Sequence, residues 1–240
     1  MQRKQLLLLC AVIIAQTASA QDTAAGEKLV QRAEKRAIDS YYRYTGNQSR
    51  LYNGLDRTFY DPAIKGDPYY LSDSLMEGSV LYDSMYFENV PMLYDIYKDE
   101  LTVRHFKGYK IVLLNEKITS FSISGHHFVA HEYDKNAGFG MHSGFYDHLY
   151  AGKTMVLARR TKLLNEKITS QVEQEFLPHD NFYIWKDGAY RSCATYHGLL
   201  DILKPGSKDI RHYLKKNKIK FRNDPEKVIV TAVRFYDSLN

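Results

Sequence analysis

The sequence predicts an α+β fold: a mainly antiparallel β-sheet, curved or partly closed, with one N-terminal helix and about three C-terminal helices. Three observations predict it. Between Gly78 and Tyr133, apolar and polar residues alternate in short runs separated by turn residues. Side chains on a strand point to opposite faces in turn, so this is the pattern of a half-buried sheet. The connections are short, which suits antiparallel neighbours, because parallel pairs need long crossovers. Beyond residue 196 the apolar spacing lengthens to three and four, the helical period.

The chain begins Met1-Gln2-Arg3-Lys4, followed by an apolar run from Leu6 to Ala15 and then Ala18-Ser19-Ala20. A positive start, a short apolar core and a small-residue exit are the parts of a secretory signal. The apolar run is shorter than the ~20 residues of a membrane span. Leu9 precedes Cys10, where a lipoprotein signal needs a small residue. The expectation is a signal over 1–20, cleavage before Gln21, and a soluble mature chain in the periplasm or cell envelope. That chain has no transmembrane segment and forms a single β-rich domain over 21–240, helical from about residue 196.

The elements follow in order. Val30, Ala33, Ala37 and Tyr41 recur at helical spacing and predict a helix over 27–44. Asn53-Gly54 marks a turn, and Asp61-Pro62 and Asp67-Pro68 mark a loop. Strands are expected over 79–82 and 92–97, with Pro91 at an edge or a strand start because it cannot donate to a ladder. Leu101 and Val103 face the core; Tyr109, Ile111 and Leu113 repeat the pattern after Lys107-Gly108. Phe121 and Ile123 do so again, with Ser120, Ser122 and Ser124 outward and a two-residue turn at Gly125-His126. A loop over 134–140 leads to strands 144–150 and 154–160. Asp187-Gly188 turns a hairpin between 182–185 and 189–192. Leu199, Leu200 and Leu203 make a short helix closed by Pro205-Gly206. Ser207 caps a second helix, in which Ile210 and Leu214 share a face. Asp224 and Pro225 start a third, with Ile229, Val233 and Tyr236 inward. Twenty tyrosines suit sheet positions that lie half in water.

Leu51-Tyr52-Asn53-Gly54, Gly78-Ser79-Val80-Leu81-Tyr82-Asp83, and Leu93-Tyr94-Asp95-Ile96 with its Asp99-Glu100-Leu101 turn form a recognisable set. Gly144-Phe145-Tyr146, the stretch Lys215 to Arg222 and the ending Tyr236-Asp237-Ser238-Leu239 belong to it. With these the chain resembles an uncharacterised family of exported bacterial proteins over most of its mature length. The resemblance implies export and one β-rich domain with a helical tail. It implies no activity, and no site residue carries over.

One octapeptide occurs twice, as Leu113 to Ser120 and as Leu163 to Ser170. The first copy sits among strands. The second lies among Leu164, Ile168, Val172 and Phe176, four apart as on a helix face. The flanks differ, so the repeat is no duplicated domain or solenoid; it reads as two similar turns or a local sequence exchange, or as a repeated contact with a ligand or partner.

Few residues point to chemistry. His126, His127 and His131 are close in sequence, and His142 and His148 follow. His127 and His131 share a face on a strand, and His148 joins them if strand 144–150 pairs back. Imidazoles are good zinc ligands, and three with a water make a catalytic centre. The spacing matches no HExxH-type motif, so no metal residue is assigned. Cys193 is the mature chain's only cysteine and excludes an internal disulfide. His197 lies four residues on, but no orienting group is spaced for nucleophilic catalysis, and a buried, inert thiol is expected. No nucleophile elbow, phosphate loop or dinucleotide fingerprint occurs. Asp99 and Glu100 read as solvated turn residues, and Asn47-Gln48-Ser49 fits a glycosylation sequon. No catalytic residue and no cofactor is assigned.

From Lys204 to Arg222 the chain carries Lys204, Lys208, Arg211, Lys215, Lys216, Lys218, Lys220 and Arg222 against one acid, Asp209. The whole chain is only +5, too weak a bias for a nucleic-acid partner. The local cluster instead suits an anionic envelope surface. The sequence therefore favours a non-enzymatic binding or structural protein of the bacterial envelope. The alternatives are a metal-dependent hydrolase using the histidine cluster and a carrier of a small apolar ligand inside the curved sheet.

Overall fold

A computed structural model describes residues 50–52, 54–56, 59–132, 141–168 and 172–239, together with residues 30, 32 and 33. The chain divides into two compact units, Met1–Ser49 and Arg50–Asn240, and the account below concerns the second. The signal over 1–20, the sequon at Asn47 and the loop over 134–140 lie outside the described residues, as does the helix over 27–44 apart from those three.

The described strands are β1 (Gly54–Asp56), β2 (Met76–Tyr82), β3 (Met85–Asp95), β4 (Glu100–Arg104), β5 (Lys110–Leu113), β6 (Ile118–Ile123), β7 (His126–His131), β8 (Gly144–Ala151), β9 (Met155–Arg159), β10 (Lys162–Ile168), β11 (Val172–Pro178), β12 (Asn181–Lys186) and β13 (Ala189–Ser192). Three helices follow: α1 (Tyr196–Ile202), α2 (Ser207–Lys216) and α3 (Pro225–Leu239). Eleven strands form one antiparallel sheet in the order β1-β5-β4-β3-β2-β6-β7-β8-β9-β12-β13; β10 and β11 form a separate ribbon.

The alternation places side chains as expected. Leu101, Val103, Ile111, Leu113, Phe121 and Ile123 are buried. Tyr109 is not, at 50% exposure, because it precedes β5 and lies in the turn. Tight turns set the register. Asp83-Ser84, Ser124-Gly125 and Asp187-Gly188 each connect two strands with positive φ at both central residues, the type I′ form whose twist matches that of the strands. The turn expected at Gly125-His126 is thus one residue earlier. A type I′ turn needs positive φ twice, and Ser124 tolerates the first position while Gly125 takes the second.

The sheet is strongly curved and not closed: among the described residues β1 and β13 are its edges. Phe145 on β8 lies four strands from Tyr94 on β3, ~19 Å apart in a flat sheet. Yet their ring centres are 6.1 Å apart, and Tyr94 also meets Phe121 and Phe128 at 5.0 Å. The rings fill the trough. Asp99 in the β3–β4 turn ties its two sides by accepting from Tyr94 Oη (2.5 Å) and from Phe145 N (3.3 Å) and by facing Arg159 (3.6 Å). Side chains, rather than ladder hydrogen bonds, bring the sides together. Asp99 is therefore not the solvated turn residue that was expected. Gly144 lies against its carboxylate with φ of +145°, where a Cβ would overlap Asp99 Oδ2.

A second core lies under the helices. Ile229 and Val233 of α3, Ile210 and Leu214 of α2, and Leu199 of α1 pack with Val156 and Ile184 of the sheet. Asp224 caps α3 by accepting from Lys227 N (2.9 Å). Ser207 does not cap α2; it is the first helical residue, and Gly206 holds the cap position. Two further expectations change. Gly54 opens β1, paired with Leu113. Pro91 lies inside β3, but the β4 ladder begins only at Met92, so the strand is an edge on that side at Pro91.

The octapeptide takes two conformations. The first copy ends β5, turns through Asn115–Lys117 as a 3-10 helix and enters β6. In the second, Leu163 to Ile168 run straight as part of β10, where a helix was expected. Spacing of four is close to one helical turn but is also twice the strand period. Leu164 with Phe176 and Ile168 with Val172 are direct cross-strand partners in the β10–β11 ribbon. Phe176 packs inward against Tyr60 and Tyr97, while Ile168 stands 77% exposed near the ribbon tip.

The two copies give a paired test. Ile118→Ala in the buried first copy should cost about 2–5 kcal/mol. Ile168→Ala at the equivalent place should stay within about 0.5 kcal/mol. Urea unfolding of both variants checks this, and equal losses would contradict the two environments.

Candidate functional site

The densest polar cluster surrounds Arg160, a residue only 6% exposed just beyond β9. Its Nε and Nη2 donate to Asp147 Oδ2 (3.1 and 2.7 Å), and its Nη1 donates to Asp180 Oδ2 (2.8 Å) and Glu226 Oε2 (2.6 Å). Asp147 is 1% exposed and also accepts from His126 Nδ1 (2.7 Å). Tyr70 closes the group, its ring 5.4 Å from that of His126 and 6.0 Å from the guanidinium. Burial disfavours the charge on Arg160, but the hydrogen bonds and charges of Glu226 and Asp147 outweigh it and raise its pKa. Burial raises the Tyr70 pKa too, so its hydroxyl stays protonated. The cluster holds an imidazole–carboxylate pair, but Asp147 is saturated on one oxygen by Arg160. Its chemistry is that of a clasp between the sheet and α3.

The histidines divide between the two faces of the sheet. His126 points to the clasp. His127 and His131 share the other face, and β8 does pair back to β7, bringing His148 between them. The His148 ring lies 6.1 Å from that of His127 and 5.9 Å from that of His131. Ser122 Oγ is hydrogen-bonded to His127 Nδ1 (2.9 Å), while His131 Nε2 and His148 Nε2 are buried without partners. Tyr146 and Tyr190 stand edge-on to His131 at 5.1 and 5.9 Å. Burial lowers the pKa of His131; burial, then the neighbouring His131 and His127, lower that of His148. His142 stands apart, its backbone paired with the Tyr146 hydroxyl. The rings form a row rather than a converging set, and among the described residues no three histidine, cysteine, aspartate or glutamate side chains are placed to hold a metal ion.

Cys193 is fully buried in the helical core, and burial pushes its thiol up to about 12. His197 is exposed and bonded to Asp201 instead (3.2 Å), so the two do not act together. The trough, where the sequence reading put a small apolar ligand, is filled by Tyr94, Phe121, Phe128 and Phe145. An open depression of about 450 Å³ lies outside it and is polar, lined by Glu77, Ser79, Glu88, Asn89, Ser122 and Ser124 among others.

The basic segment is at the surface. Ile210 and Leu214 are buried and Tyr213 is half-buried, whereas Lys208, Arg211, Lys215 and Lys216 are exposed. Lys218, Lys220 and Arg222 are exposed too. Among the described residues, Lys204 alone of the eight cations has an ion-pair partner, Asp201 (2.7 Å). The chain matches no protein-family model, no curated protein and no solved structure.

Sequence reasoning missed the clasp. Its signal was Asp147, an acid at a core-facing position between Phe145 and Leu149. A buried charge requires a partner, but its partners lie 13 and 21 residues away in Arg160 and His126, and the other acids that hold Arg160, Asp180 and Glu226, lie 20 and 66 residues from it.

Arg160→Ala should destabilise the fold by about 3–5 kcal/mol, because it leaves Asp147 buried and uncompensated. Lys65→Ala, which breaks the exposed pair with Glu173, should cost no more than about 1 kcal/mol. Denaturant midpoints compare them. The histidine row predicts a pH effect. His131 and His148 bind protons less readily in the fold than their unfolded value of about 6.5. Their contribution is therefore intact above that value and is lost as pH falls through it. Melting temperature should drop between neutral pH and pH of about 5, and the drop should be smaller in a His131→Asn, His148→Asn double variant.

Proposed function

We propose that this chain is an exported, non-enzymatic binding or structural module of the bacterial envelope. The observation that carries the reading is the exposed cationic face of α2 and the turn after it. Seven cations stand there without an ion-pair partner among the described residues, while Arg160 and Arg159 inside the fold face carboxylates. Unpaired charge gathered on one side is what an anionic partner would meet. The signal-like start over Met1 to Ala20 supports export, and the strands and helices give a rigid platform. None of the helices among the described residues is long and apolar enough to cross a membrane, so attachment would run through the surface.

A second reading, metal-dependent hydrolysis at His127, His131 and His148, is favoured by the two partnerless imidazole nitrogens. A neutral imidazole with a free nitrogen is the form that ligates zinc.

Fractionation of cells followed by N-terminal sequencing tests the first reading. The mature chain should be found outside the cytoplasm, starting at or near Gln21; an intact Met1 in the cytoplasm would overturn it. Zinc content of the purified protein tests the second. Stoichiometric metal, lost from a His131→Asn, His148→Asn variant, would replace the first reading by the second.

A further inference from the structure

We propose that the cationic face of α2 and residues 217–222 docks on the anionic headgroups of a phospholipid surface. The inference rests on the binding-module reading and names its partner.

Geometry makes the face one-sided. At 100° per residue, Lys208, Arg211, Lys215 and Lys216 fall within roughly 140° of the helix circumference. Ile210 and Leu214 fall on the opposite side and are buried. The chain continues the face past the helix. Ile219 N donates to Leu214 O (3.0 Å) and Lys218 N to Lys215 O (3.1 Å), the paired bonds of a Schellman turn. Ile219 packs into the helical core, and Lys218, Lys220 and Arg222 extend outward beside it.

A second observation comes from the backbone. Lys218 has φ of +56°, at the position of that turn which favours glycine. Most other non-glycine residues with positive φ here are aspartate, asparagine or serine, whose short polar side chains tolerate it. Lysine has no such support and has no ion-pair partner among the described residues. A long cationic side chain held at a strained position is of use to a cationic surface and costs the fold stability.

The partner's class follows from what accompanies the charges. Single-stranded nucleic acid is held by cations together with exposed aromatic platforms. Here the nearby aromatics turn inward: Tyr213 stacks on Phe235 at 4.1 Å, and Phe221 meets Tyr196 at 6.2 Å. What remains is an exposed, mainly cationic face, with His212 within it and Asp209 at its border, suited to a broad anionic surface read by charge. Such attraction fades beyond a Debye length and weakens with salt.

The test uses the full mature protein and vesicles of phosphatidylcholine with phosphatidylglycerol, against phosphatidylcholine alone. Flotation at low salt should recover the protein with the anionic vesicles only, and added salt should release it. Changing Lys215, Lys216, Lys218 and Lys220 to Gln should weaken binding by two to three orders of magnitude, at roughly tenfold or less for each charge. The same four changed to Arg should bind like wild type. Lys218→Gly is the decisive single variant: it should melt higher than wild type yet bind several-fold less. Equal flotation of wild type and the Gln variant, or retention on polyphosphate without retention on anionic vesicles, would overturn the inference. Export is measured separately, so a correctly exported protein that ignores vesicles defeats only the docking, and an intact cytoplasmic chain that binds them defeats only the envelope reading.

Discussion

One guanidinium decides how the two cores of this protein stay together. Arg160 is reached by carboxylates from β8, from the segment after β11 and from the first turn of α3. Removing it from water is expensive, and one carboxylate would offset that only in part. Three, with four donated hydrogen bonds, raise its affinity for a proton despite burial. Glu226 gains a further advantage, since an acid in the first turn of a helix faces the positive end of the helix dipole. The consequence is positional. The start of α3 is fixed against β8 by Arg160. Its end is fixed by Asp237, which accepts from Tyr150 Oη (3.1 Å) and Thr154 N (3.0 Å). The helix is pinned at both ends, and its apolar side between them faces the sheet.

The trough beside it depends on a smaller version of the same device. Asp99 is three-quarters buried by its neighbours and has its pKa raised by burial, although Tyr94 and Arg159 pull against that. Its two oxygens bridge β3, β8 and β9 at the point where the curved sheet would otherwise spread. Curvature here is a side-chain property. The ladder leaves the sheet open at β1 and β13, and the rings of Tyr94, Phe121, Phe128 and Phe145 fill the concave side.

Local patterns in the sequence carried as much of this as local physics decides. Alternation identified β4, β5 and β6, turn residues located β8, β9, β12 and β13, and apolar periodicity located α1 to α3. The failures share a cause. In β10 and β11, Leu164, Ile168, Val172 and Phe176 satisfy both the strand and the helix period, and pairing with a partner strand broke the tie. The octapeptide shows how strong that tie-breaker is: its first six residues bend through a 3-10 turn in one copy and run straight through β10 in the other. The first half of β3 was lost because Asp83-Ser84 turns the chain without a glycine. Of the candidate residues, the row of His127, His131 and His148 was legible, because strand parity and one pairing fix it. The clasp was not, because a charge at residue 160 and carboxylates at residues 147, 180 and 226 look like ordinary surface residues until the fold brings them together.

The fold thus treats charge in two opposite ways. Inside, Arg160 is matched by three carboxylates, and Arg159 faces Asp99 and the Tyr146 ring at 5.7 Å. Outside, on α2, the cations have no acid beside them except Asp209. Like charges at three and four residues apart on a helix repel, so Arg211 and Lys215 weaken the helix that carries them. Lys215 and Lys216 recover part of this at the helix C-terminus, where cations face the negative end of the dipole. Lys208, Lys220 and Arg222 have no such compensation. The interior is paired by ion, though not atom by atom: Asp147 Oδ1 and Arg159 Nη1 are buried without a hydrogen-bond partner, whereas the cations of α2 have no ion-pair partner among the described residues.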